Sequence, residues 1–464
     1  MERILALCVA LIFVLTVSSP GQENLTKTFQ NNLTPAPAQK ANSWQNIEPI
    51  TMDDLLKKMS DKDKCWMDLT PRQYLQDFDV LYKEMTDNYP YFGVAQRKNN
   101  VNIEEQYKVY RKQIETCNND DDFWKLVRSF VAEMKYTGHI QAWGYRYFSE
   151  LEGLKTTIQE FPQYAEDLAP YIKKLDNPVS QKNYRAMENF YTKLQNSVDE
   201  HNSHIDKSNV DDADDEKETE TFDNVTTNIL QDGKIAYVKI GMFDMDLFNK
   251  DKEILLPFYK SLSGYDHLII DITDNPGGGM DYFNQLVAAP LSDRTYSVST
   301  FLLAKGGENN KHFLRIPEGL KAGKWKSISE LPLLSNINHE DLAGLDYFMQ
   351  ENYTVKPSSK KSFQGRIWLL VSENNYSSSE YAAMFSKQSG FATLVGEKTG
   401  GDGIGVDPAY IILPNSGLVV QYSSIYGVTA DGKNSEEYGT EPDYYVKNGE
   451  TALEACLRLI KSNS

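Results

Sequence analysis

Cysteine is scarce in this sequence, with four in 464 residues. Cys8 lies in an amino-terminal apolar run. Cys65, Cys117 and Cys456 stand far apart without metal-ligand spacing, so no zinc site or other metal is expected, and nothing calls for a cofactor. Positive charge is also short: 48 Lys and Arg against 66 Asp and Glu give a net charge of -18. That balance argues against nucleic acid and anionic membrane as partners, since both are bound through an excess of cations. Beyond the amino terminus no apolar run is long enough for a stable membrane span. Histidine is sparse as well, so few positions could supply an imidazole.

What is present divides the chain. Residues 1–21, "MERILALCVALIFVLTVSSPG", combine an early arginine, an apolar stretch and small residues, as a secretory signal peptide does. A secreted or extracytoplasmic protein without an evident lipid anchor is therefore expected. An oxidising compartment would permit a Cys65–Cys117 bridge; two free buried thiols account for these residues equally well. Residues 22–70 read as a polar leader. From Pro71 to about 210 the spacing predicts a helical domain, for instance "TPRQYLQDFDVLYKEM", with Leu75, Phe78, Leu81, Tyr82 and Met85 on one face after a Thr70–Pro71 start signal. The acidic run over 211–224 has almost nothing apolar and reads as a solvated linker; it lacks the glycine and ligand spacing of a calcium loop. From 225 to 464 short strand patterns ("KIAYVKIG", "HLIIDI", "RIWLLV", "TLVGE", "YIILP") alternate with helical ones. This predicts an α/β sheet with parallel pairs, in which ligands bind beyond the carboxyl ends of the strands. Cys456 falls in a terminal amphipathic pattern with Leu453, Leu457 and Ile460, and reads as core.

Two turns carry candidate chemistry. In "LIIDITDNPGGGMDYF" a glycine-rich turn, Asn275 to Gly279, follows a buried strand; glycines there let backbone amides point at an anion. In "RIWLLVSENNYSSSEYAAMF" three serines sit between a strand and a helix. Ser377 and Glu380 have the spacing of a capping box, which is the plain reading. The other is a nucleophilic hydroxyl beside free helix-terminal amides.

These two segments, with "VGEKTGGDG" and "SEEYGTEPDYYV", resemble the catalytic core of the C-terminal processing (tail-specific) serine peptidases and the related tricorn core. The similarity spans roughly residues 234–446. It implies a crotonase-like (ClpP/crotonase-type) α/β core after the helical domain, peptide or protein substrates, Ser377 as nucleophile, and the backbone amides of Gly278 and Ser378 as oxyanion donors, with Gly277 as the alternative to Gly278. Members of the Ser/Lys type end the V-G-E block with a lysine base, where this chain has Asp402; Lys398 lies four residues earlier. The tricorn-like subgroup, with a histidine base, is the closer pattern. "EMKYTGHIQAWG" is similar to its G–H turn, which implies His139 as base, and "SEEYGTEPD" implies Glu436 as the orienting carboxylate, with Glu437 as the alternative. The other histidines fall in a polar linker (His201, His204), at a strand start (His267) or outside the similar segments (His312, His339). The PDZ module usual in processing proteases has no counterpart in residues 150–223, which read as helices and an acidic linker. The rival expectation is a catalytically inactive extracellular protein that binds a peptide or apolar ligand on the same fold.

Overall fold

The computed structural model describes residues 49–145, 147–206, 223–358 and 363–462. The expected signal peptide and nearly all of the acidic segment lie outside the described residues. Helices dominate up to residue 206: Met52–Lys58, Pro71–Asn88, Phe92–Asn99, Ile103–Ile114, Asp120–Ala132, Tyr147–Glu160, Ala165–Leu175 and Pro178–Asp206. The first of these lies within the segment read as a leader, where Thr51 and Asp54 form a reciprocal capping box. The start signal at Thr70 acts as expected: its hydroxyl accepts from the Gln73 amide, Gln73 caps back, and Pro71 occupies the first turn, where its missing N–H costs nothing. The face carrying Phe78, Leu81 and Met85 is fully buried. His201, read from the sequence as part of a polar linker, lies on the long helix Pro178–Asp206.

The carboxyl-terminal half is built on a six-stranded sheet. Its order in space is Tyr444–Tyr445, Thr393–Gly396, Arg366–Val371, His267–Asp271, Ile235–Ile240, Val225–Gln231. All pairs are parallel except the last, in which Val225–Gln231 runs antiparallel to its neighbour. The central strands are mostly apolar, with charged residues chiefly at their ends, because both faces are covered. Ile269, Trp368, Leu370 and Val395 point to one side and pack with Ala455, Cys456 and Ile460 of the terminal helix Ala452–Ser462. Leu268, Ile270, Leu369, Val371 and Leu394 point to the other side and join the main core. Each such aliphatic side chain contributes roughly 1.5–3 kcal/mol on burial.

That main core runs without a break into the N-terminal helices, with Phe78, Leu81, Phe130 and Tyr147 in the same cluster as Phe283 and Tyr381. Two smaller antiparallel sheets complete the half: Tyr426–Thr429, Tyr296–Ala304, Tyr347–Val355 and Lys326–Ser327 in one, and Gln141–Ala142, Val419–Tyr422 and Ala409–Ile412 in the other. The second matters most here. Gln141 and Ala142 belong to the helical region in sequence, yet they pair with Gln421 and Val420 of the sheet region. This pairing carries His139 to the carboxyl ends of the parallel strands.

Candidate active site

Two strand-to-helix turns meet at that end of the sheet. The strand His267–Asp271 leads into the turn at Asn275–Gly279, and Arg366–Val371 leads into the serine turn and the helix Ser378–Ser389. Asn375 and Ser379 tie the turns together. Asn375 Nδ2 donates to the Asn275 carbonyl at 3.0 Å, and Ser379 Oγ donates to the same carbonyl at 2.7 Å. The third serine, Ser379, is thus a tether.

Ser377 stands at the first position of the turn in a conformation few non-glycine residues adopt, φ 59° and ψ -123°. Such backbone geometry costs on the order of 1–3 kcal/mol and persists only where the surroundings enforce it. Here the Ser377 amide donates to Gly401 O at 3.0 Å, and the Ser377 carbonyl accepts from the Tyr381 amide at 2.9 Å. The expected capping box does not form. The Ser377 hydroxyl caps nothing, and Glu380 turns inward to Thr440 Oγ1 at 2.6 Å and to Thr399 Oγ1. The strained backbone aims the hydroxyl away from the helix terminus it would otherwise cap.

Gly277 and Gly278, both at φ 126°, bring the glycine turn against this serine. A β-carbon on Gly277 would lie 3.1 Å from Ser377 Cβ and 3.4 Å from the Ser378 nitrogen; one on Gly278 would lie 2.2 Å from Phe243 O. Flanking bonds fix the turn: Phe243 N donates to Gly277 O at 2.8 Å, and Gly279 N to Phe243 O at 2.7 Å. Among the described residues the amides of Gly278 and Ser378 donate to no protein acceptor. Two free amides therefore flank a serine hydroxyl, an arrangement able to stabilise an oxyanion.

His139 sits on a turn in which Lys135, Tyr136, Gly138 and His139 all have positive φ, from 51° to 62°. Glycine is required at 138, since a β-carbon there would lie 2.5 Å from Tyr91 Cδ2. Partners on several elements hold the turn: Tyr89 OH donates to Thr137 O at 2.6 Å, Ser423 N to Gly138 O at 2.7 Å, and Gln421 Nε2 to His139 O at 3.0 Å. The imidazole lies beside Tyr376, the residue before the serine, with ring centres 4.8 Å apart.

The carboxylate that meets this imidazole is Asp402, not the expected Glu436. His139 Nδ1 lies 2.6 Å from Asp402 Oδ2 and 3.2 Å from Ser423 Oγ; Ser423 Oγ donates to Asp402 Oδ2 at 3.0 Å, and Tyr91 OH to Asp402 Oδ1 at 3.1 Å. Glu436 is buried one layer away. Its Oε1 accepts from Lys98 Nζ at 2.7 Å, and its Oε2 from Tyr376 OH at 2.7 Å and from the Gly138 amide at 3.3 Å. The reason is the helix Phe92–Asn99, which delivers Lys98 to Glu436, while Gly401 and Asp402 fold under the serine turn. Burial raises the Glu436 carboxyl above its usual range, the negative Asp402 pushes the same way, and Lys98 opposes both. Burial also keeps the Tyr91 and Tyr376 phenols protonated well beyond their usual range, so both act as donors. Glu437 faces the other way and pairs with Arg97 at 2.7 Å. Lys398 is exposed.

The sequence thus drew attention to Ser377, Ser378, Gly277, Gly278, His139 and Glu436, which all converge, and missed Tyr91, Lys98, Tyr376 and Ser423. Among the described residues no cluster of three or more His, Cys, Asp or Glu could hold a metal ion. Residues 234–446 match the model of peptidase family S41, and residues 70–132 that of the tricorn protease C1 domain. No curated protein sequence matches the chain. Among solved structures it is similar to mature CPAF complexed with lactacystin (11% identity, 84% of this chain and 97% of that one, TM-score 0.47). It is also similar to a lipoprotein from Streptococcus agalactiae (13%, 84% and 97%, TM-score 0.43). A third similar structure is the photosystem II D1 C-terminal processing protease (19%, 51% and 52%, TM-score 0.34).

Proposed function

Because this chain belongs to peptidase family S41 and is a serine-type peptidase, we propose that it cleaves peptide bonds through an acyl-enzyme on Ser377 with His139 as the base. The Ser377 hydroxyl attacks the scissile carbonyl and passes its proton to His139 Nε2. The amides of Gly278 and Ser378 hold the oxyanion of the tetrahedral intermediate. Protonated His139 then returns the proton to the leaving amine, and water repeats the sequence on the acyl ester. A carboxylate on the far side of the imidazole steadies the cation formed at each transfer.

The observation that carries this reading is the backbone of Ser377, φ 59° and ψ -123°, with its hydroxyl withheld from the helix cap. A catalytically silent binding protein has no use for such strain, whereas a nucleophile raised on a strand-to-helix turn does. The exposed Lys398 suits no base, because a lysine must be buried or crowded by cations to lose its proton near neutrality. The sheet core, with both turns at the carboxyl ends of parallel strands, fits the crotonase-type arrangement the family resemblance implies. Export is proposed from the apolar amino terminus; among the described residues no helix is long and apolar enough to cross a membrane.

Labelling with a serine-directed fluorophosphonate, followed by peptide mapping, tests the assignment. The label is expected on Ser377, lost in Ser377→Ala, strongly slowed in His139→Ala and unchanged in Lys398→Ala. Labelling that survives Ser377→Ala, or that Lys398→Ala abolishes, overturns it.

A further inference from the structure

We propose that Asp402, standing where the Ser/Lys members of the family place their base, orients His139 and holds its proton on Nδ1, and that Glu436 is a positioning residue for the turn around it. The inference rests on Ser377 and His139 acting as nucleophile and base. Nδ1 has two oxygen neighbours, Asp402 Oδ2 at 2.6 Å and Ser423 Oγ at 3.2 Å. The Ser423 hydroxyl spends its proton on Asp402 Oδ2 at 3.0 Å. Both neighbours therefore present acceptors to Nδ1, which fixes the ring proton there and leaves Nε2 with the lone pair that the Ser377 proton needs. Asp402 is in turn held by Tyr91 OH on its other oxygen, at 3.1 Å. Its carboxylate accepts from three side chains on three separate segments, and cannot swing away from the ring without leaving buried donors unmatched.

Glu436 is occupied otherwise. One oxygen is taken by Lys98 Nζ and the other by Tyr376 OH, both at 2.7 Å, with the Gly138 amide at 3.3 Å. Through those bonds it fixes the residue before His139 and the residue before Ser377. Its charge is matched by Lys98, whereas Asp402 makes no ion pair apart from His139 among the described residues. Among the described residues, the titratable and charged groups facing the imidazole include Asp402 on the ring, Tyr91 beyond it, Tyr376 and Tyr136 at its sides, and the Glu436–Lys98 pair behind Gly138. Asp402 is the anion that meets Nδ1.

Asp402→Asn and Glu436→Gln separate the two carboxylates. Asp402→Asn is expected to lower kcat on the order of a thousandfold or more with little change in KM, as loss of an orienting carboxylate does. Glu436→Gln can still accept from Tyr376 and Gly138, and is expected to cost about tenfold or less. The reverse order of effects overturns the proposal. Should Asp402→Asn fail to fold, a far-downfield imidazole N–H proton resonance decides instead: its retention in Glu436→Gln supports Asp402 as the partner, and its loss there overturns it. If Ser377→Ala or His139→Ala keeps wild-type turnover, the serine mechanism itself has failed, a result distinct from either.

Discussion

Replacing Glu380 by glutamine should change how stability depends on pH by an amount that the structure sets. Glu380 is fully buried behind the serine turn, and its carboxylate faces the hydroxyls of Thr399 and Thr440. Burial raises its carboxyl from 4.5 to about 7; the threonine hydrogen bonds restrain the rise, and the negative Glu436 adds to it. A folded-state value above the unfolded one means that the native protein binds this proton more tightly. The resulting stability is fully present below about pH 4.5 and is lost as pH climbs through 7. Between pH 5 and pH 8 the difference amounts to roughly 2.5 kcal/mol, at 1.36 kcal/mol per tenfold change in proton affinity. An amide of the same shape does not titrate. In urea unfolding at the two pH values, wild type should lose about 2.5 kcal/mol more than Glu380→Gln on going from pH 5 to pH 8. Parallel pH dependence in the two proteins would refute the reasoning, since every other titrating group is common to both.

Two further outcomes follow from the same geometry. Gly278→Ala places a methyl group 2.2 Å from Phe243 O at φ 126°, so the turn must move; activity should fall by on the order of a hundredfold or more as an oxyanion donor is displaced, with the melting temperature also lowered. An activity within a few fold of wild type would remove Gly278 from the oxyanion hole. Cys65 is an exposed free thiol and Cys117 a buried one, its thiol pushed up to about 11 by burial. Ellman's reagent should therefore modify Cys65 in the folded protein and reach Cys117 only on unfolding; recovery of a Cys65–Cys117 linked peptide from the untreated protein would contradict the free thiols.

Much of the fold was legible because its signals are local. All five apolar runs of strand length bounded by turn residues form strands, four of them in the six-stranded sheet and "YIILP" in the antiparallel three-stranded one, and a threonine–proline pair marked the start of Pro71–Asn88. What periodicity could not reveal was pairing at long range. Nothing in "HIQAWG" announces that Gln141 will lie beside Gln421, yet that register is what brings the histidine turn into the sheet region. The capping-box reading of Ser377 and Glu380 failed for a related reason. The spacing is correct for a cap, but Thr399 and Thr440, on other segments, compete for the glutamate, and tertiary contacts override the local preference.

The two carboxylates show where sequence reasoning about a site reaches its limit. A motif reports which residue types lie near one another along the chain, and both Asp402 and Glu436 do lie beside the histidine turn. Which of them meets the ring depends on a third group that no motif contains. Lys98, on a helix more than three hundred residues away in sequence, neutralises Glu436 and holds it at the Gly138 amide, while Tyr91 from the start of the same helix holds Asp402. A buried carboxylate with a cation of its own has little reason to seek the imidazole; one whose other partners among the described residues are neutral donors gains most from any positive charge on that ring. The N-terminal helical region therefore does more than deliver a histidine. By placing Lys98 at Glu436, it also leaves Asp402 as the acid that faces that histidine.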